Sequence, residues 1–126
     1  MILNFKEYGS ANSGLPLILI HGMGSAATAW QSVVPELSKT HRVITVDLPG
    51  HGETQLPAGL DMSPKFLADY VLETMDSLSI QKAHLVGNSL GGWTALELAA
   101  AKPERVASIL GLAPAGLWLA PFNVRY

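Results

Sequence analysis

The chain has 126 residues, of which 48% are hydrophobic and 14% charged, a composition too apolar for a disordered chain and sized for one domain or part of one. Eight basic against ten acidic residues give a net charge of -2, which lacks the basic signature of a nucleic-acid or polyanion binder. The absence of cysteine excludes a disulfide framework, a zinc knuckle and a thiol nucleophile, and fits a reducing compartment.

Met1 to Tyr8 has no basic stretch followed by an apolar core, so it does not read as a secretory signal; its pattern predicts an outer strand. Leu17-Ile18-Leu19-Ile20 is a continuous apolar run bounded by Pro16 and by His21-Gly22. A weaker helix is expected from about Ala29 to Ser38, with Pro35 at the start of its last part. Arg42 to Val46 is a second β-branched run, ended by Asp47 and Pro49-Gly50. Ser63 followed by Pro64 predicts an N-cap with proline at the first helical position. Leu67, Tyr70, Val71, Met75 and Leu78 then fall on one helical face, and Lys65, Asp69, Glu73 and Asp76 on the other. Ala83 to Val86 is a third run, ended by Gly87-Asn88. Leu90 to Lys102 predicts a second helix, stopped by Pro103, whose alanines permit close packing on a sheet. Val106 to Leu110 is a fourth run, ended by Gly111. Ala107 to Phe122 is the most apolar stretch, but Gly111, Pro114, Gly116 and Pro121 interrupt it before the ~18 residues of a membrane span. A cytoplasmic location is the resulting expectation.

Runs that are apolar on both faces suit central parallel strands, because helices cover both sides of such a sheet. Strand and helix alternate three times, so the fold class is α/β, a doubly wound and mostly parallel sheet with right-handed crossovers.

Gly87-Asn88-Ser89-Leu90-Gly91 has the form G-x-S-x-G and lies between a strand and a helix, the setting of a nucleophile elbow. Such a turn is so tight that Ser89 is expected in a sparsely allowed backbone conformation, with glycine required two residues away on either side. The hydroxyl is thereby lifted clear of the backbone, next to the free amides of a helix N-terminus, of which Leu90 would face a developing oxyanion. His21-Gly22-Met23-Gly24 follows the first central strand, and the backbone N–H of Met23 is the expected second donor. His21 is expected to orient that loop and not to act as the base. Asp47 and His51 are likewise expected to fix the loop after the second central strand, which topology places on the far side of the His21 strand from Ser89. Asn88 neighbours the nucleophile without an assigned role. Trp30, Trp93 and Trp118 read as packing or pocket wall, and His84 as lying at the opposite end of the sheet.

These phrases, in this order and spacing, resemble the α/β-hydrolase superfamily, over about residues 5 to 117. The resemblance implies a serine hydrolase with Ser89 as nucleophile, Met23 and Leu90 as backbone oxyanion-hole donors, and His21, Gly22, Gly87, Asn88 and Gly91 in support. It implies neither a metal nor an organic cofactor. Serine at 89 argues against the dehalogenase and epoxide hydrolase branches, and the Gly-Asn-Ser-Leu-Gly-Gly elbow is similar to that of carbon–carbon bond hydrolases and also to esterases.

The family places its triad acid and histidine after the nucleophile. After Ser89 this chain has only Glu97 and Glu104 as acids and no histidine. The expectation is therefore the N-terminal half of a hydrolase domain over 1–116, truncated after the strand that follows the nucleophile helix, with 117–126 beginning a cap to which Trp118 and Phe122 would contribute. Its substrate would be a small, apolar carbonyl compound (ester, thioester, amide or activated C–C bond), and its partner a missing C-terminal half or second chain. The isolated chain would be nearly inert and its last strand an open edge. The alternatives are a non-catalytic binding module and an inactive truncated product of the same fold.

Overall fold

The computed structural model describes residues 1–117, so the expected cap residues Trp118 and Phe122 lie outside the described part. Five strands form one sheet in the order β1-β3-β2-β4-β5: β1 is Asn4–Tyr8, β2 Leu17–Ile20, β3 Val43–Asp47, β4 Ala83–Asn88 and β5 Val106–Leu112. β1 pairs antiparallel to β3, and the other three pairings are parallel. The register sets Ile20 beside Val46 on one side and Gly87 on the other, so the C-terminal ends of the three central strands lie level. All five residues of β3 are buried, as a strand covered on both faces requires.

Side chains alternate across this sheet and feed two cores of unequal size. Ile18, Ile20, Ile44, Val46 and Leu85 point to the face covered by α2 (Pro64–Ser77) and α3 (Leu90–Ala101), where Leu67, Val71, Met75, Ala95 and Leu98 meet them. Each such side chain, fully buried, stabilises the fold by about 1.5–3 kcal/mol. On the opposite face Leu19 and Val43 form a smaller core with Trp30 and Val34, from a short 3₁₀ turn at Ala27–Trp30 and the four-residue helix α1 (Val34–Leu37), with Tyr8, Leu17, Leu37 and Val86 half-buried around them.

The predicted helix over 29–38 is therefore two short pieces. Pro35 stands in the first turn of α1, where its missing N–H costs nothing, and this restarts the helix instead of continuing it. Ser63 occupies the N-cap position of α2, but its side chain makes no capping bond; its own N–H donates to Asp61 Oδ1 at 2.8 Å. β5 runs two residues beyond the expected stop, because Gly111 pairs with Gly87 and Leu112 with Asn88. It is an edge strand, with Leu110 58% and Leu112 42% exposed. Among the described residues no helix is long and apolar enough to cross a membrane.

Candidate active site

Ser89 joins β4 to α3 with φ 51° and ψ -111°, a conformation that costs a residue with a Cβ about 1–3 kcal/mol. Its backbone is fixed on both sides. The Ser89 N–H donates to Leu112 O at 2.9 Å, and its carbonyl accepts from Trp93 N at 3.1 Å and Ala115 N at 3.0 Å. Glycine is required around it by close approach. A Cβ on Gly87 would strike the backbone of Gly91 and Gly92, and one on Gly91 would strike the Ile20 and His21 carbonyls. The bare backbone at 91 thus lets α3 start directly against the end of β2. The Ser89 hydroxyl makes no hydrogen bond among the described residues.

The loop after β2 reaches the elbow at Gly22, where a Cβ would lie 3.5 Å from Ser89 Cβ and 3.3 Å from Asn88 O. Two histidines hold this loop. His21 is buried; its Nε2 accepts from Leu48 N at 2.9 Å, so Nδ1 carries the proton and donates to Gly22 O at 2.7 Å. Burial lowers its pKa, keeping the ring neutral, although the Gly22 carbonyl opposes the shift. His51 accepts from Gly24 N at 2.9 Å through Nε2 and donates to Pro49 O at 3.0 Å through Nδ1. Both nitrogens of each ring are engaged, which removes either as a free base for Ser89 and fits the loop-fixing role expected from sequence. Met23 sits between Gly22 against the elbow and Gly24 held by His51. Its N–H has no acceptor among the described residues. Leu90, the first residue of α3, has no intrahelical acceptor for its own N–H.

Asp47 anchors the neighbouring loops. Its carboxylate accepts from Ala27 N at 2.8 Å, Glu53 N at 3.1 Å and Asn4 Nδ2 at 3.1 Å. Burial alone would push its pKa up, but these donors together outweigh it and hold the carboxyl below its ordinary value. β3 lies beyond β2 from β4, as expected, so Asp47 belongs to loop support and not to the elbow.

The remaining candidates lie elsewhere. His84 Nδ1 and Ser108 Oγ are 2.7 Å apart near the N-terminal ends of β4 and β5, and His41 contacts Thr40 Oγ1 at 2.9 Å. None of the four histidines bonds to Ser89 among the described residues. Glu97 accepts from Trp93 Nε1 at 3.2 Å and Glu104 lies in the 3₁₀ turn before β5. Asn88 is exposed beside the elbow, where a cleft of about 230 Å³ is lined by it with His21, Ala29, Trp30 and Leu112. Sequence reasoning missed Pro114-Ala115, which folds back on the elbow: Pro114 packs where a Cβ of Gly92 would stand, and Ala115 binds the Ser89 carbonyl. The only trace in sequence is a Pro-Ala-Gly turn just past a strand.

The profile of the alpha/beta hydrolase fold matches residues 16–124. The chain is 41% identical over 110 residues to the 2-hydroxymuconate semialdehyde hydrolase of Pseudomonas sp. (strain CF600), covering 85% of this chain and 39% of that protein. It is 43% identical over 118 residues to the dihydrolipoyllysine-residue acetyltransferase component of the acetoin cleaving system of Pseudomonas putida, covering 92% of this chain and 31% of that one. Among solved structures, the meta-cleavage product hydrolase from Pseudomonas fluorescens IP01 superposes with a TM-score of 0.83 at 37% identity, over 93% of this chain and 43% of that one. The chain thus spans well under half the length of these relatives. With the sheet order, the elbow and this match in agreement, the chain belongs to the α/β hydrolase fold family.

Proposed function

We propose that this chain carries the nucleophile and oxyanion-hole half of a serine hydrolase acting on a small, apolar carbonyl substrate: an ester, thioester, amide or activated C–C bond. One observation carries the reading: Ser89 is held in a strained turn with the Gly22 loop against it and, among the described residues, unpaired amides at Met23 and Leu90. Ser89 Oγ would attack the carbonyl carbon, and its proton would pass to a histidine. The Met23 and Leu90 N–H groups would stabilise the oxyanion, a contribution worth about 10²–10³ in kcat for one such donor. Water, activated by the same histidine, would then release the acyl group. The histidine and its acid would come from polypeptide of the kind that relatives carry beyond the matched segment, in cis or as a second chain. The names of the hydrolase relatives support carbonyl hydrolysis, and that of the acetyltransferase component supports acyl chemistry more broadly.

The test is fluorophosphonate labelling and activated-ester turnover in a protein completed with the unmatched part of the 2-hydroxymuconate semialdehyde hydrolase, alongside the 126-residue chain and a Ser89→Ala control. The completed protein should label and turn over, and the control should do neither. The chain alone should fall by about 10⁶-fold in kcat, the cost of a missing base. A completed, folded protein that leaves Ser89 unlabelled refutes the reading.

A further inference from the structure

Two loops meet beside Ser89, and they differ in stiffness. The loop after β3 is rigid at His51: its N–H donates to Leu48 O at 3.0 Å, its carbonyl accepts from Thr54 N at 3.1 Å, and Thr54 Oγ1 is tied in turn to Asp47 O at 2.7 Å. The His51 ring is locked as well, because Nδ1 donates to Pro49 O of the same loop at 3.0 Å. The loop after β2 is less firmly seated. The Met23 side chain is 67% exposed, and Gly24, with φ 76°, has open space where a Cβ would stand. Among the described residues, the restraint on this stretch lies in hydrogen bonds to two successive peptide planes. Gly22 O accepts from His21 Nδ1 at 2.7 Å and from Ser25 N at 3.2 Å, and Gly24 N–H donates to His51 Nε2 at 2.9 Å.

We propose that His51 is a positioning residue for the Met23 N–H: it clamps the Met23–Gly24 peptide from the rigid loop and so keeps the oxyanion donor aimed, a role that rests on the hydrolase reading above. A peptide unit is planar, so a bond to its carbonyl or its N–H orients the whole unit. The Gly22–Met23 unit holds both the carbonyl that His21 grips and the Met23 N–H, which a trans peptide places on opposite sides. Gripped at that one atom, the plane can rock about the His21 bond and carry the N–H with it. The next plane is the one His51 grips through Gly24 N–H, and this second hold removes the rocking. The two loops are also laced crosswise. His21 of the first accepts from Leu48 N of the second at 2.9 Å, His51 of the second accepts from Gly24 N of the first, and the ring centroids lie 5.0 Å apart. A hydrogen bond weakens steeply with misalignment, and an oxyanion-hole donor acts on the transition state more than on bound substrate. Loss of the clamp therefore falls on kcat. A residue that only stabilised the fold would leave kcat of the folded protein unchanged.

His51→Ala removes the acceptor, whereas His51→Gln keeps one, because the glutamine carbonyl reaches about as far from Cα as Nε2 does. In the 126-residue chain, hydrogen exchange of the Gly24 amide should quicken at least about tenfold in His51→Ala and stay near the parent rate in His51→Gln. Exchange of the β2 amides should not change, which checks that the sheet is intact. In the protein completed as above, His51→Ala should lower kcat about 10- to 100-fold with KM within about threefold of the parent. Its affinity for a trifluoromethyl ketone, which forms a tetrahedral oxyanion adduct with a serine, should fall by the same factor as kcat/KM. His51→Gln should bring kcat back to within about threefold of the parent. Unaltered Gly24 exchange in His51→Ala overturns the proposal. So does an unaltered kcat, a loss confined to KM, or an equal loss in His51→Gln, since His51 would then only fill space. The exchange measurement uses no turnover, so its failure is distinguishable from failure of the hydrolase assignment.

Discussion

The strain at Ser89 predicts that removing its side chain altogether stabilises the protein, whereas shortening it does not. At φ 51° and ψ -111° the Cβ is the source of the clash, and it remains in Ser89→Ala. The hydroxyl makes no hydrogen bond among the described residues, so Ser89→Ala should lie within about 0.5 kcal/mol of the parent. Ser89→Gly relieves about 1–3 kcal/mol of backbone strain and gives back about 0.4–1 kcal/mol through the greater freedom of the unfolded chain. The net expectation is a gain of about 0.5–2 kcal/mol. For a chain of 126 residues, an unfolding entropy of ~2.1 cal/mol/K per residue turns this into a Tm about 2–8 °C higher. Urea titrations and thermal scans of the parent, the alanine variant and the glycine variant give the comparison directly. If Ser89→Gly is no more stable than Ser89→Ala, the elbow is not strained and the geometric basis of the nucleophile assignment falls.

Gly91→Ala should be far more damaging than its one added carbon suggests, because that carbon meets the carbonyls of Ile20, the last residue of β2, and of His21 just after it; a loss of about 3 kcal/mol or more is expected by chemical denaturation, against about 1 kcal/mol for Gly59→Ala, where only a positive φ is at stake. Asp47→Asn leaves donors from Ala27, Glu53 and Asn4 facing a neutral amide and should cost about 1.5–3 kcal/mol at pH 7. The sign of the pH dependence follows from the lowered pKa values of both groups. The unfolded chain binds protons first at His21 and Asp47, so each contribution is fully present above the group's unfolded pKa and is lost progressively as pH falls from there through its lower folded pKa. Melting curves should therefore drop below about pH 6.5, and His21→Gln should flatten the part that begins there. Leu110→Lys puts a charge on the exposed edge strand and should reduce self-association of the chain in sedimentation velocity, with little change in its helix content.

Much of this architecture was legible in sequence because its signals are local. Apolar runs flanked by glycine and proline marked β2, β3, β4 and β5, and the period of Leu67, Tyr70, Val71 and Met75 marked α2. The assignment of His21 and Asp47 to loop support also followed from sequence, since strand order alone separates Asp47 from Ser89. The misses have physical causes. Pro35 reads equally as a helix interior breaker and as a first-turn residue, and only packing of Trp30 and Val34 on Leu19 decides between them. Ser63 has the right residue type for a cap, but its loop turns so that Asp61 serves its amide instead. Which helices fall on which face is hidden too, because hydrophobic periodicity carries no information about handed crossovers between distant segments. His51 binding Gly24 is a contact between two loops 27 positions apart, beyond the reach of any local pattern.

The backbone of Ser89 is bound to the outermost strand at one end and to the turn beyond it at the other, through Leu112 and Ala115. The Ser89 hydroxyl is therefore oriented from the rim of the sheet as well as from its centre. A segment that zips onto β5 would stiffen the very hydrogen bonds that keep residue 89 in its contorted shape, and fraying of that rim would let the serine slump back. Order at the border and the posture of residue 89 are, in this molecule, one and the same mechanical matter.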